Sequence, residues 1–349
     1  MKHKKRIRDY NIFIGTLETG ELNSITDVPG VKIGHVTLDN KDIKTGVTAL
    51  LPHDGNLFKK KVIASSHVIN GYGKSIGLMQ INEMGTIETP IILTNTFSIG
   101  TAFNAVIEFM LKDNKDIGTT TGTINPIICE CNDGYLNNIR KQNIEKSHVI
   151  EAINNASKEF KEGSVGAGCG MSCLGLKGGI GTASRVIIMQ NIKYTVGSLV
   201  LTNFGKGEDL LIDGIKAGKF ITKNDNLSDK GSIIMIISTN IPLNERQLKR
   251  INKRAVVGLI RTGSYIGNGS GDIVISFTTA NKINHYEKRD IVHSKIINEN
   301  KIDLIFRAVA ESVEESILNS LISANPTIGR DNNTKKSLKE FISDIIKNL

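Results

Sequence analysis

A chain of 349 residues that is 39% hydrophobic and 23% charged has the composition of a globular protein, long enough for one large domain or two ordinary ones. No apolar run approaches the roughly 20 residues that span a bilayer, and no secretory signal follows the basic start "MKHKKRIRDYNIF", so a cytoplasmic protein is expected. The net charge of +9 does not argue for nucleic-acid binding: five of the positive charges fall in the first eight residues, tryptophan is absent and aromatics make up only 5%.

In chain order, short β-branched runs over 47–52, 60–69, 89–94 and 125–131 predict strands, with a helix over 99–113 among them. The stretch 143–160 predicts a further helix. Strands are then expected over 184–189, 194–205, 231–239 and 271–279. In 242–262 the apolar positions Leu248, Ile251, Ala255 and Leu259 recur every three or four residues, a helix face closed by Gly263. Phe306, Val309, Val313, Ile317 and Leu321 repeat the pattern over 303–324. Mixed elements along the whole length place the fold in the α/β or α+β class. Runs such as "IIMII" are apolar on both faces, so the sheets should be covered on each side, which layers of helix, sheet, sheet and helix would satisfy. No internal repeat is present, and the most linker-like segment is the polar stretch 218–231.

Few residues offer chemistry. Cys129 and Cys131 form a CxC, Cys169 and Cys173 a CxxxC, and neither has the CxxC spacing of a structural zinc site, so buried reduced thiols are expected. The segment "GSVGAGCGMSCLGLKGGIGTASR", 163–185, is dense in glycine, yet the chain has no phosphate-loop signature, and the segment reads as a backbone loop lining a pocket. His35 and His67 sit in strand-like surroundings that suit structural histidines, and no histidine stands in a nucleophile-elbow context. The step Gly231-Ser232, at the mouth of an apolar strand, allows a different chemistry. Were that bond cut, Ser232 would carry a hydroxyl and a free α-amine together. An α-amine has a reference pKa of roughly 7.7–8.0, so on the order of a tenth of it is neutral at pH 7, and one residue can be both nucleophile and base. Glycine at 231 removes the Cβ that would crowd the hydroxyl's attack on the preceding carbonyl.

The stretches "TGELNSITDVPGVKIGHVTL", "GYGKSIGLMQINEMGTIETPIILTNTFSIGTAFNA", "CNDGYLNN", the glycine-rich segment, "VGSLVLTNFG", "GSIIMIISTNIPLNERQLKRINKRAVVGLIRTGS", "NGSGDIVISFTT" and "ESVEESILNSLISANPTIGRD" resemble the L-aminopeptidase/D-amidase-esterase family, the DmpA-like enzymes that include the β-aminopeptidases. The resemblance runs almost end to end. It implies a single peptidase domain over 1–349 with an N-terminal arm over 1–20. It also implies a four-layer αββα sandwich like that of N-terminal-nucleophile hydrolases but differently connected, usually a homotetramer. It implies self-cleavage at Gly231-Ser232 into chains 1–231 and 232–349, with Ser232 as nucleophile. By the same resemblance Asn203 in "VLTNFG" stabilises the oxyanion, Ser270 and Asp272 in "NGSGDIV" orient the amine and nucleophile, and Tyr135 in "NDGYLN" lines the pocket.

The reading is therefore a self-processing serine aminopeptidase acting on short peptides, amino-acid amides or esters, with no metal or organic cofactor and no nucleic-acid or membrane partner. Two alternatives share the fold: an acyltransferase of the ornithine acetyltransferase kind, which uses an N-terminal threonine, and a silent relative that binds small amino-acid ligands without cleaving itself. The chain also departs from the family pattern. It has Thr239-Asn240 where Thr-Asp is common, a loss of a carboxylate that could alter recognition of a substrate's free amine, and Pro326 stands where a small or hydroxyl residue is more typical.

Overall fold

The computed structural model describes residues 6–221 and 231–347; most of the linker-like stretch 218–231 lies outside them. Ten strands form the two main sheets: β1 (Lys32–Asn40), β2 (Ile43–Leu51), β3 (Lys60–Gly71), β4 (Thr86–Ile87), β5 (Ile91–Asn95), β6 (Ile127–Cys131), β7 (Ile180–Met189), β8 (Ile192–Asn203), β9 (Ser232–Thr239) and β10 (Gly271–Asn284). The principal helices are α1 (Leu78–Met84), α2 (Ile99–Asp113), α3 (Lys146–Asn154), α4 (Glu245–Arg261) and α5 (Asp303–Ser323). One sheet has the order β1-β2-β5-β6 and the other β4-β3-β10-β9-β8-β7.

The alternation of side chains stacks these sheets. On β9, Ile234 and Ile236 join Leu50, Leu93, Ile127 and Cys129 in a core between the sheets, while Ile233, Met235 and Ile237 turn to Leu248, Val313 and Ile317 of α4 and α5. A third core, including Val47, Ile92, Ala102 and Val149, lies under α2 and α3. The order of layers is helix, sheet, sheet, helix, as the two-faced apolar runs required. All four cysteines are buried thiols, and burial pushes Cys129 and Cys169 up to about 12.

α5 packs unusually close to its sheet, and it does so through small polar groups. Ser316 Oγ lies 2.6 Å from Ser198 Oγ, and Ser320 Oγ lies 2.8 Å from Thr202 Oγ1. A Cβ on Gly181 would come within 1.9 Å of the Ser316 carbonyl, so only glycine permits the approach. At the far end of the same helix Arg185, fully buried on β7, donates to Glu311 at 3.1 Å, to Glu315 at 2.7 Å and to the Ile14 carbonyl at 2.7 Å. Glu315 also takes Arg8, so the first residues of the described chain are strapped across α5.

Two expectations shift. The helix anticipated over 143–160 ends at Asn154, because Ser157 leaves it to bridge Ile33 on β1, with both backbone bonds at 3.0 Å. The strand anticipated from residue 184 already begins at Ile180, in a glycine-rich stretch whose small residues make room for α5. Among the described residues no helix is long and apolar enough to cross a membrane.

Replacing Arg185 by methionine leaves two buried carboxylates short of a cation. The variant should lose about 3–5 kcal/mol of unfolding free energy, measured by denaturant titration, whereas Arg246→Met on the exposed face of α4 should cost under about 1 kcal/mol.

Candidate active site

The chain places Ser232 where three strands meet. It is the first residue of β9, paired antiparallel with Asn203 at the end of β8 and parallel with Gly271 at the start of β10. Ser232 and Asn203 share the parity of the inter-sheet core residues Ile234 and Leu201, so both side chains belong to the layer between the sheets. Each is almost buried, with 6% and 8% of its surface exposed.

The backbone there is crowded. A Cβ at residue 231 would stand 2.1 Å from the Asn203 carbonyl oxygen and 2.3 Å from Phe204 Cα, closer than any side chain can go. One at residue 271 would stand 2.5 Å from the Tyr72 carbonyl oxygen and 3.1 Å from Ser232 Oγ. The Gly271 N–H is shared between the Gly231 carbonyl and Ser232 Oγ, each at 3.2 Å. The carbonyl that would be attacked and the hydroxyl that would attack it thus face one donor.

Asn203 is fixed at both ends. Its Oδ1 accepts the Ser172 N–H at 2.9 Å, and its Nδ2 donates to the Asn132 carbonyl at 3.0 Å. These two bonds decide which way the amide points, since a carbonyl oxygen would not face Asn132 O. Nδ2 carries a second hydrogen beyond that bond. Ser270 and Asp272, both buried, flank Gly271, and Ser270 Oγ donates to Asp272 Oδ1 at 2.7 Å. The turn that carries Ser270 is held by Asn70 Nδ2, which donates to the Gly267 and Asn268 carbonyls at 3.3 Å and also to the Ser270 carbonyl.

Four of the five residues expected at the site, Ser232, Asn203, Ser270 and Asp272, come together around the Ser232–Gly271 pair. Tyr135 sits on the adjoining loop three residues after Asn132, with its ring 4.9 Å from Lys335 Nζ and its carbonyl accepting from Asn333 at 2.9 Å. The glycine-rich segment does line the site with backbone, through Ser172, in a hairpin whose turn residues Leu174 and Gly175 both have positive φ. Asn240 does not belong there. It stands beyond the other end of β9, roughly 26 Å along the strand from Ser232, where its Oδ1 accepts the Thr195 N–H at 2.7 Å. Its lack of a carboxylate therefore has no bearing on amine recognition at Ser232. Pro326 is exposed just past α5, where proline commonly follows a helix end. Sequence reasoning missed Asn70, Asn132 and Lys177, whose roles are backbone hydrogen bonds without a pattern to betray them. Among the described residues no group of three or more histidines, cysteines or carboxylates could hold a metal ion.

Known proteins align with this architecture. Residues 23–335 match peptidase family S58. The β-peptidyl aminopeptidase BapA of Sphingosinicella microcystinivorans is 36% identical over 93% of this chain and 87% of its own. Among solved structures, the PH0078 protein of Pyrococcus horikoshii OT3 superposes with a TM-score of 0.95 at 50% identity, over 99% of each chain. The L-aminopeptidase D-Ala-esterase/amidase of Ochrobactrum anthropi, described as a prototype for the serine aminopeptidases and a new variant of the Ntn hydrolase fold, superposes at 0.92 with 33% identity over 98% of each chain.

Gly271→Ala tests the crowding directly. The added methyl must push against Ser232 Oγ and the Tyr72 carbonyl, so hydrolysis of a small aminoacyl anilide should fall at least tenfold, on the order of 1.4 kcal/mol. Circular dichroism should report a retained fold; wild-type turnover would show that the contact with Ser232 does not matter.

Proposed function

We propose that this chain, which belongs to peptidase family S58 and is an aminopeptidase, cuts its own backbone between Gly231 and Ser232 and then uses Ser232 as an N-terminal nucleophile. The observation that carries the reading is the seating of the Gly231–Ser232 step between Asn203 and Gly271, with hydroxyl and carbonyl on one N–H.

In maturation, Ser232 Oγ attacks the Gly231 carbonyl carbon. The oxyanion draws on Gly271 N–H and on the spare hydrogen of Asn203 Nδ2. Collapse breaks the C–N bond as the proton given up by Oγ passes to the departing nitrogen, so the acyl group stays on Oγ as an ester and Ser232 gains a free amine; water then opens the ester, returning a proton to Oγ and leaving Gly231 as a carboxylate. Chains 1–231 and 232–349 result. In turnover the same atoms repeat the sequence on a substrate. The neutral α-amine takes the hydroxyl proton as Oγ attacks the carbonyl of the substrate's first residue, and the proton goes to the leaving amine. Water releases the acyl-enzyme by the same path. In this reading Ser270 Oγ, which donates to Asp272, hands protons between the amine and that carboxylate, and its hydroxyl keeps the carboxylate from fixing the amine in its charged form. Tyr135 borders the substrate from the neighbouring loop.

The substrates are N-terminal residues of short peptides, amides or esters, small because the pocket has already held the chain's own backbone. The names of the relatives make both β-amino and α-amino residues the substrates to try first. Assembly as a homotetramer and residence in the cytoplasm complete the reading.

Expression of the wild type and Ser232→Ala, followed by denaturing electrophoresis and N-terminal sequencing, tests it. Two chains are expected from the wild type, the smaller beginning at Ser232, and one intact chain from the variant. A fully active wild type that stays a single polypeptide would falsify the mechanism. Asn203→Ala should lower kcat by roughly 10²–10³ with a smaller change in KM, because its donor is needed most when charge develops.

A further inference from the structure

Lys177, in the glycine-rich segment that meets Asn203, has no exposed surface. Its Nζ donates to the carbonyls of Gly168 at 2.9 Å, Met171 at 2.8 Å and Gly178 at 2.7 Å. Three acceptors call for three hydrogens, which the ammonium has and the neutral amine lacks. Burial pulls the side chain down to about 7, opposed by nearby Cys169, Asp133 and Asp39, while the three carbonyl bonds favour the charged form. Holding a cation out of water costs several kcal/mol, a poor bargain if the lysine only filled space.

One of the three carbonyls gives the cation a route to the site. The Met171 carbonyl and the Ser172 N–H are two ends of a single peptide group. The carbonyl end accepts from Lys177, and the N–H end donates to Asn203 Oδ1 at 2.9 Å. Asn203 repeats the arrangement: its Oδ1 is loaded by that N–H, and its Nδ2 is the donor that faces the Asn132 carbonyl. An amide whose oxygen accepts a hydrogen bond becomes a stronger N–H donor, and such chains strengthen cooperatively by perhaps 10–30% per bond in a low-dielectric interior.

We propose that Lys177 is a positioning residue for the reaction, a buried cation that orients Asn203 and strengthens it as oxyanion donor through two amide groups in series. The inference rests on the reading of Asn203 as that donor. A lysine that merely tied the loop together would serve equally at other carbonyls; this one holds the far end of the peptide that grips Asn203. Two bonds strengthened by that fraction, acting on a donor whose loss costs roughly 10²–10³, correspond to roughly 3- to 60-fold in rate.

The experiment is a double-mutant cycle on the full chain with a small aminoacyl anilide, using wild type, Lys177→Met, Lys177→Gln, Asn203→Ala and the doubles. Rates are expressed per processed chain counted on a denaturing gel, with melting curves alongside. The expected result is a kcat reduced roughly 3- to 60-fold in the neutral variants with KM within about twofold, and no further reduction when either is combined with Asn203→Ala. A loss that persists undiminished in the Asn203→Ala background makes Lys177 a structural staple and overturns the relay, as does unchanged kcat in a folded neutral variant. Should neither neutral variant fold, Lys177→Arg carries the cycle. Its planar fork cannot reproduce three convergent bonds, and its kcat must fall with the same dependence on Asn203. If Asn203→Ala alone keeps the wild-type kcat, the oxyanion assignment fails and takes this inference with it, whereas losses that simply add remove the relay and leave the assignment standing.

Discussion

Residue 231 lies against the backbone of residues 203 and 204 with no room for a single additional carbon, and that contact governs the rest of the site. It holds the Gly231 carbonyl toward Gly271 and sets Ser232 at the first rung of two ladders at once. A second contact of the same kind at Gly271 closes the other side. Positions bounded by backbone atoms cannot yield as a flexible side chain would, so the registers of β8, β9 and β10 must hold to within a few tenths of an ångström. A strand mouth is ordinarily one of the looser parts of a sheet; here it is clamped from both neighbours.

The clamp in turn depends on α5. A greasy helix face would stand off from the sheet by the thickness of leucine side chains, about 10 Å between axes. The serines of α5 and Gly181 bring it closer and exchange hydroxyl bonds with Ser198 and Thr202. Thr202 immediately precedes Asn203, so the helix steadies the strand one residue from the oxyanion candidate. Arg185 and its carboxylates secure the opposite end of the contact. Because α5 is buried on nearly every side, Ser316, Asn319 and Ser320 are interior groups with partners, not a solvent face.

This explains which parts of the protein were legible in its sequence. The two-faced runs of β9 and β10, the period of α4 and the uninterrupted α2 gave the layers, because burial writes itself as apolar residues. The start of β7 was hidden, since Ile180-Gly181-Thr182-Ala183 owes its strand form to what packs on it and has little propensity of its own. The residues proposed for the reacting step were legible only through resemblance to a family: Asn203 reads locally as a turn former and Ser270-Gly271-Asp272 as a turn. Asn70, Asn132 and Lys177 left no trace, because what matters in each is a bond to main chain across 71 or more positions or within one loop. Asn240 carried a false signal. A departure near the nucleophile in sequence proved to lie a whole strand's length from it in space.

A nucleophilic serine needs a base, and the histidines among the described residues are committed elsewhere. His35 bonds Thr48 and the Lys161 carbonyl, and burial pulls it down to about 4. His53 bonds the Lys60 carbonyl and the Gly55 N–H; His148 accepts the Glu145 N–H; His285 meets Thr121. His67 faces Lys249 and Lys253 of α4, on the side of the sheet away from Ser232, and His293 is exposed on the loop after β10. Lys177 Nζ is committed as well, to the carbonyls of Gly168, Met171 and Gly178. A base that arrives with the nucleophile itself, as an α-amine released by backbone cleavage, needs no second element to deliver it and no space beyond what the broken peptide vacates. In a site where a methyl group does not fit, that economy of atoms favours the amine over any side chain.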